Sequence, residues 1–165
     1  MNAVLVIVAL VLTPLLVQKE GRVWCSIEPL ITTRAEVDTL LGPPTSGSGY
    51  ILSYDTKDEH ITMWFGGAKT DKADPCKWKV EENTVFVYVV APKHKLLVSE
   101  ANIDLNKFKK EKDPESDRAF YYYDDVNGTT ISTRIRDGEE VVESIHRDPK
   151  LIERQKYCPP QIVRP

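Results

Sequence analysis

Histidine and cysteine, which supply much of the nucleophilic and metal-binding chemistry of proteins, are scarce here, with three of each in 165 residues. No two histidines lie at the spacing of metal ligands, and no two cysteines form a C-x-x-C motif. The sequence also has no G-x-S-x-G motif, and the glycine-rich loop at residues 45–49 lacks a following Lys-Ser/Thr. We therefore predict a non-enzymatic protein with no catalytic residue, metal ligand or cofactor-binding residue. The histidines are interpreted as surface residues: His60, His94 and His146.

A concentrated charge of one sign is also absent. The chain has 22 basic and 25 acidic residues mixed along its length, for a net charge of −3. Such a balance gives no field that would attract nucleic acid or anionic lipid, so no nucleic-acid partner is predicted. Neighbouring carboxylates on a strand point to opposite faces and do not share a site, so we interpret these pairs as solvated turn residues: 58–59, 124–125 and 139–140.

The N-terminus carries the main targeting signal. Residues 3–17 (AVLVIVALVLTPLLV) contain no charge. This run is at the upper end of a signal-peptide core and shorter than the roughly 20 residues of a spanning helix. We predict that residues 1–20 are a signal peptide or a single N-terminal membrane anchor, and that the chain is exported to the periplasm, cell envelope or extracellular space. No small-residue cleavage site is evident, so both forms remain open, as does the alternative of a buried helix.

An odd number of cysteines in an exported chain favours one disulfide and one remaining thiol. Cys76 lies in a polar loop and Cys158 in a proline-rich C-terminal tail. We predict a Cys76–Cys158 disulfide, which would close a loop of about 80 residues and stabilise the fold by about 4 kcal/mol in the chain-entropy treatment. Cys25 is then a buried or unpaired thiol.

The best-defined local signal is TTRAEVDTLLGPP at residues 32–44. Thr33 suits the N-cap of a helix, and Glu36 three positions later completes a capping box. Gly42 suits a position with positive φ after the helix, and two prolines then prevent its continuation. The stretch predicts a helix of about two turns, which needs a sheet to pack against.

Alternating apolar residues and turn signals predict strands elsewhere. Asn127-Gly128 is typical of a type I′ hairpin turn, and Asp137-Gly138 is a second turn. Residues 45–49 are interpreted as a flexible loop, and Asp148-Pro149 as the start of a terminal helix. The predicted strands are 50–54, 60–65, a central strand at 84–90, a short strand at 95–99, then 119–124, 129–136 and 141–145, with short helices at 104–109 and 149–156.

These elements indicate an α+β fold in which short helices pack on one face of an antiparallel sheet. We predict a single domain at residues 22–158, followed by a tail at 159–165. Tyr50 and Tyr121 are 71 residues apart (121 − 50), and Ile61 and Ile131 are 70 apart (131 − 61). These offsets suggest degenerate pseudo-repeats at 30–99 and 100–158, with chance similarity between two β-meanders as the alternative.

The pattern hydrophobic-x-Thr-Arg-Ala-Glu-Val-x-x-Leu-Leu-Gly-x-Pro, followed by a small polar loop and an aromatic strand, resembles the small outer-membrane lipoprotein domain of the SmpA/OmlA type over residues 30–65. That resemblance implies helices on one face of a small antiparallel sheet and a role in assembling the bacterial envelope. The inhibitor proteins that block β-lactamases look like tandem arrangements of a similar unit. The chain as a whole also resembles exported bacterial proteins of unassigned activity that share the opening at residues 24–44.

Aromatic residues suggest a binding surface. Three consecutive tyrosines at 121–123 cannot all point to one face of a strand, so at least one faces outward. Tyrosine and tryptophan anchor many protein interfaces, although core packing and strand propensity also explain them. The predicted partner-binding residues are Tyr50, Tyr54, Trp64, Tyr121 and Tyr123.

The leading functional hypothesis is an exported, non-catalytic envelope or periplasmic protein of the binding or assembly type, whose partner is another envelope or secreted protein. The alternatives are a secreted inhibitor-like protein and, less favoured, a hydrolase with dispersed catalytic residues. An inhibitor must be released, whereas an assembly factor is usually held at a membrane. The oligomeric state and the partner do not follow from the sequence.

The non-reducing intact mass of the native protein tests the export and disulfide predictions together. A released domain should be soluble, about twenty residues shorter than the chain, and lighter by the hydrogen atoms lost in one disulfide. Full-length material in the membrane fraction would identify an anchor instead. Cytosolic, fully reduced protein would contradict both predictions.

Overall fold

One antiparallel sheet of eight strands makes up most of the computed structural model, which describes residues 22–67, 80–101 and 103–157. The predicted signal or anchor at 1–20, both cysteines of the predicted disulfide (Cys76 and Cys158) and the tail at 159–165 lie outside the described residues. Within the described ranges, no helix is long and apolar enough to cross a membrane. The predicted α+β class is confirmed in its broad form, with sheet predominating over helix.

The order of strands across the sheet is β1-β2-β3-β4-β8-β7-β6-β5. Two four-stranded meanders, β1 to β4 and β5 to β8, are therefore joined through their last strands, and every pairing is antiparallel. The strands are β1 Ser46–Ser48, β2 Ile51–Asp55, β3 Glu59–Phe65, β4 Val85–Pro92, β5 Lys109–Lys112, β6 Ala119–Asp124, β7 Thr129–Arg136 and β8 Glu139–Arg147. The α-helices are α1 Arg34–Leu41 and α2 Leu151–Tyr157, and short 3-10 helices lie at Val23–Ser26, Val98–Glu100 and Leu105–Lys107.

Helix α1 begins and ends as its sequence predicts. The Thr33 amide donates to Glu36 Oε2 at 2.7 Å, and the Glu36 amide donates to Thr33 Oγ1 at 3.4 Å, which completes the capping box. Gly42 follows the helix with a φ of +83°, a value that favours glycine. Val37 is the one helix residue that is fully buried, so α1 packs on the sheet along a narrow stripe.

The burial of side chains alternates strictly along β3 and shows which face of the sheet is buried. Its residues 59, 61, 63 and 65 are buried, whereas 60, 62 and 64 are only half-buried. The buried set packs against α1 and the 3-10 helix Val23–Ser26, because Val37 and Trp24 belong to the same core cluster. Segments 96–101 and 103–108 pack on the same core through partly buried apolar residues such as Leu105 and Phe108.

Two fully buried tyrosines attach the covering layer to the sheet. Tyr88 of β4 donates its hydroxyl to the carbonyl oxygens of Trp24 and Ile27, at 2.9 and 3.0 Å. Tyr54 of β2 donates to Asp38 Oδ1 of α1 at 2.8 Å. Burial raises the pKa of Tyr88 to about 12, so its hydroxyl keeps the proton that these bonds need.

Five local predictions differ from the structure. The predicted helix at 104–109 is only a 3-10 helix at Leu105–Lys107, and Lys109 already belongs to β5. Residues 46–48 form the edge strand β1 instead of a flexible loop, because they pair with residues 51–53. Segment 95–99 is not a strand and makes only an isolated bridge, Leu97 with Val141. The Asn127-Gly128 turn is a four-residue loop with positive φ at Gly128 alone, since Asp124 Oδ1 accepts from the Asn127 amide. Helix α2 starts at Leu151, two residues after the predicted start at Pro149.

The predicted hairpins, the central position of β4 and the three consecutive antiparallel strands β6, β7 and β8 are confirmed, whereas β5 was not predicted. At the β7–β8 turn, both Asp137 and Gly138 have positive φ, +53° and +81°, as a two-residue type I′ turn requires. Lysine-rich residues 109–112 form β5, an edge strand whose residues are all exposed. Charge on an outer strand opposes edge-to-edge aggregation.

Substituting Thr33→Ala should lower the free energy of unfolding by about 1 kcal/mol, because the first turn of α1 loses its side-chain cap. Thr39→Ala is the matched control, since Thr39 is an exposed threonine of the same helix whose hydroxyl bonds the Ala35 carbonyl at 2.8 Å. It should leave stability unchanged or slightly higher, because that bond slightly weakens a helix and alanine has a higher helix propensity than threonine. Urea denaturation measures both. Equal losses for the two variants would contradict the capping assignment.

Candidate functional site

The face of the sheet opposite α1 is the largest functional candidate. Helix α1 and the segments around Trp24 and Phe108 pack on the buried face, so this layer leaves the other side of the sheet uncovered in the described part of the chain. We call that side the open face. Its members project from strands β1 to β4 and β6 to β8, and include Ser46, Ser53, Asp55, His60, Thr62, Trp64, Val87, Val89, Tyr121, Tyr123, Thr130, Ser132, Ser144 and His146.

Strand register aligns these side chains into rows that cross the sheet. The register pairs Val89 with both Thr62 and His146, so one row runs through the join between the two meanders. Four of its eight members are serine or threonine, so half of the row is small and polar. The full row is Lys109, Tyr123, Thr130, His146, Val89, Thr62, Ser53 and Ser46.

Three of the five predicted partner-binding residues lie on the open face. Trp64 projects from β3 beside Ile51, which is 47% exposed. Tyr121 and Tyr123 project from β6, and their ring centroids are 6.1 Å apart. The two meanders therefore each contribute aromatic surface to the same side of the sheet.

Of the other two residues, Tyr54 was wrongly predicted to bind a partner. Its side chain is fully buried on the opposite face and hydrogen-bonded to Asp38, so it is a core residue that cannot reach a partner. Period-two alternation places it with Leu52 and not with its neighbours 53 and 55. Tyr50 lies in the turn before β2 and is 38% exposed, with its ring beside Gly67 at the end of the sheet.

A recess of about 200 Å³ opens between the two tyrosines of β6 and the end of β8. Its wall is formed by aromatic rings, hydroxyl groups, an imidazole and one carboxylate. The Asp148 carboxylate makes no ion pair or hydrogen bond within the described ranges, although its amide donates to the Gly128 carbonyl oxygen at 2.8 Å. The lining residues are Tyr121, Tyr123, Thr130, Ser132, His146 and Asp148.

Part of this recess was not predicted from the sequence. The alternation at 129–136 already indicated that Thr130 and Ser132 share a face, and the same alternation applies to His146 in β8. Asp148 was interpreted as a helix cap, but α2 starts at Leu151, and the Lys150 amide just before it donates to Glu153 Oε2 at 2.9 Å. No signal in the sequence could place Asp148 beside Tyr123.

A second polar arrangement on the open face resembles part of a hydrolase site. His60 Nδ1 lies 3.2 Å from Asp55 Oδ1, and His60 Nε2 lies 3.5 Å from Thr62 Oγ1. Thr62 Oγ1 is in turn 3.4 Å from Ser53 Oγ. A hydroxyl, an imidazole and a carboxylate are therefore adjacent, in the order that a nucleophile, a base and an orienting acid would require.

The surroundings of this arrangement do not complete an acyl-transfer site. The strand β3 is paired on both sides, Thr62 with Ser53 and with Val89, so its backbone amides are used by the sheet and not available to stabilise an oxyanion. Asp55 is also held by Lys93, whose Nζ lies 2.6 Å from Oδ1. Lys93, Thr45 and His60 together hold the pKa of the Asp55 carboxyl well below its usual range.

The remaining histidines lie apart from His60. His146 is separated from it by strand β4, and its Nε2 lies 3.1 Å from Ser144 Oγ. His94 follows β4 and lines a different cavity, with Lys95 and Arg136 among its neighbours. The described ranges contain no group of three or more His, Cys, Asp or Glu side chains arranged to hold a metal ion.

A cavity of about 450 Å³ lies on the buried side of the sheet and includes Cys25 and Arg147 in its lining. Cys25 is unpaired, and its residue is exposed. Even so, loss of solvent around the thiol raises the pKa of Cys25, and the positive charges of Arg147 and Arg22 only partly oppose that rise. A thiol in this state is a poor nucleophile near neutral pH.

Comparisons of the chain with protein-family models, with curated proteins and with solved structures find no match. The resemblance of residues 30–65 to the SmpA/OmlA-type domain stays a prediction. The geometry of the chain itself is therefore the basis for a proposed function.

The Asp55 cluster should make stability depend on pH. The pKa of Asp55 is lower in the folded state than the ordinary value of about 4, so its contribution is present above that pH and is lost as the pH falls through the folded pKa. We therefore expect Asp55→Asn to destabilise the protein at neutral pH, with the difference from wild type shrinking below about pH 4. Urea denaturation across pH measures this.

Asp58→Asn is the matched control, because Asp58 lies in the adjoining turn and its carboxylate has no ion pair in the described ranges. Its effect should be small at every pH. A pH-independent loss for Asp55→Asn would show that shape, not charge, matters at this position.

Proposed function

We propose that this chain is an exported, non-catalytic binding protein of the cell envelope or periplasm that uses the open face to bind another envelope or secreted protein. The observation that carries the proposal is the open face itself, where Tyr121 and Tyr123 lie beside Ser132 and Thr130. On the other meander, Trp64 lies between Ile51 and Val87. Rigid aromatic residues among small hydroxyl or apolar side chains suit protein recognition, because they bury large areas at little entropic cost.

The dimensions of this face fit a protein partner. Eight strands spaced by about 4.8 Å span roughly 34 Å, and strands of about six residues give a flat area of roughly 700 Å². Side-chain relief adds to that area, which brings it close to the ~800 Å² that each partner contributes to an interface of standard size. A small-molecule site would instead be a deep and mostly apolar cavity.

The first described residues set how far the domain would lie from a retained N-terminal anchor. The predicted signal or anchor ends close to Arg22, whose Nη1 lies 2.9 Å from Glu59 Oε1 in the sheet. Trp24 Nε1 donates to the same oxygen at 3.3 Å. Because the fold begins so soon after the apolar run, a retained anchor would hold the domain within about 20 Å of the membrane surface.

Topology supports the proposed degenerate repeat in part. Each meander is preceded by a helical segment, and the two halves have the same strand order outward from the join. Ile61 and Ile131 are buried in β3 and β7, which occupy corresponding positions next to the join. Tyr50 and Tyr121 do not correspond, because Tyr50 lies in a turn and Tyr121 lies within a strand. We therefore propose duplication of the strand pattern and not of the binding residues.

A secreted inhibitor-like protein would use the same open face after release from the membrane, so only processing of the N-terminus separates it from the leading proposal. A hydrolase is favoured by one observation, the contact of His60 with Asp55 and Thr62. It has less support, because the paired amides of β3 offer no oxyanion donors.

Photo-crosslinking tests the proposal. With p-benzoylphenylalanine in place of Trp64 or Tyr121, irradiated cells of the source organism should yield a discrete crosslinked product, because the reactive group would lie in the interface. Leu40 and Ile152 are matched control positions, since both are exposed apolar residues, 42% and 74%, on the two helices. Equal crosslinking from the helices and the open face, or none from the open face, would contradict the proposal.

A further inference from the structure

We propose that the recess formed by Tyr121, Tyr123 and Asp148 binds an arginine side chain of the partner protein. This inference rests on the proposed function, because it assigns the chemistry of one contact on the open face. The recess combines three features that such a contact needs, namely aromatic rings, a carboxylate and a concave surface open to solvent.

Two tyrosine rings form one wall of the recess. They project from β6 two residues apart, with centroids separated by 6.1 Å and planes inclined by 31°. Neighbouring rings in this arrangement present a continuous π surface, and guanidinium groups stack on such surfaces more readily than ammonium groups. The Tyr121 hydroxyl donates to Asp113 Oδ2 at 3.1 Å, which fixes the orientation of its ring.

The opposite end of the recess carries a carboxylate without a counter-ion. Asp148 has no ion pair in the described ranges, whereas nearby cations on the same face are already paired. Lys109 lies 2.6 Å from Glu111, and Arg134 lies 2.9 Å from Glu143. A guanidinium that enters the recess would therefore gain its own carboxylate without displacing an existing partner.

The negative charge around the recess also favours a cationic side chain. Asp113 contacts Tyr121, and Glu111 pairs with Tyr121 across β5 and β6. Lys109 compensates only one of these carboxylates. An acidic side chain of a partner would be repelled, and an aliphatic side chain would leave Asp148 partly desolvated and unpaired.

Size and polarity favour a long side chain with several donors. The volume of about 200 Å³ accommodates a single side chain and not a larger group. Thr130 and Ser132 add hydroxyl acceptors to the floor. Arginine has a long stem for the rings and five N–H donors for the carboxylate and hydroxyls, so it satisfies more of this lining than lysine does.

The test uses the full chain and small probes whose identity is known. N-acetyl-arginine amide is titrated at constant ionic strength, up to about 50 mM because single-residue probes bind in the millimolar range, while the ring resonances of Tyr121 and Tyr123 are followed by NMR. We expect saturable shifts. N-acetyl-citrulline amide, which has the same shape without the charge, should bind at least about fivefold more weakly.

Variants assign the binding to the recess. Asp148→Asn should remove the preference for arginine over citrulline, and Tyr123→Leu should weaken both probes, whereas Tyr123→Phe should retain binding because the ring remains. Asp58→Asn, in the distant β2–β3 turn, is the control and should change nothing. All positions are at least partly exposed, and the backbone spectrum of each variant verifies that it folds.

Several outcomes would each overturn the inference. They are equal affinity for arginine and citrulline, a preference for N-acetyl-norleucine amide or N-acetyl-glutamate amide, no saturable binding, and an unchanged preference in Asp148→Asn. Concentration-dependent shifts of the tyrosine rings without any probe would identify a second copy of the chain as the occupant and would also overturn it. Crosslinking from Trp64 in cells with no arginine binding in the recess would leave the proposed function standing and reject only this inference.

Discussion

Pairing between β4 and β8 joins two four-stranded meanders into one sheet, and both faces of the protein depend on that join. Its register places Val90 beside Ile145 on the buried side and Val89 beside His146 on the open side. Without it, each meander would expose a long edge strand, which is hydrophobic in β4, and would have only half of a core. The join thus creates a continuous core below the sheet and a continuous row of side chains above it.

One face of the sheet is buried and the other is partly exposed. Polar groups on the buried face have hydrogen-bond partners. Tyr88 and Tyr54 use their hydroxyls to fix the N-terminal segment and α1. Glu59 is buried at the end of β3 and accepts from Arg22 and Trp24, which balances its charge. Since the covering layer takes its hydrogen bonds from one face alone, the opposite face is left with side chains that satisfy each other only in part.

We propose that the open face serves recognition and not catalysis. The histidine contacts on it are lateral pairs along a flat sheet, such as His146 with Ser144, and the backbone donors beneath them are committed to strand pairing. Aromatic rings, hydroxyls and the lone carboxylate of Asp148 are, by contrast, groups that a partner surface can complete. Catalysis would need free backbone donors, which strand pairing has used, whereas recognition needs only the side chains.

Features that depend on residues close together in the chain could be predicted from the sequence alone. The capping box of Thr33 and Glu36, the positive φ at Asp137-Gly138 and the alternation of β3 each depend on residues close in the chain, so helix α1, the hairpins and the α+β class were predictable. Only the tertiary structure decided that β4 pairs with β8, that Tyr54 is buried while Tyr121 and Tyr123 share the open face, and that Asp148 lies beside them. Strand propensity is nearly the same on both faces of a sheet, so it does not show which face is covered. That depends on the packing of α1 and of the segments around Trp24 and Phe108. Contacts between residues far apart in the chain therefore decided which side chains are buried.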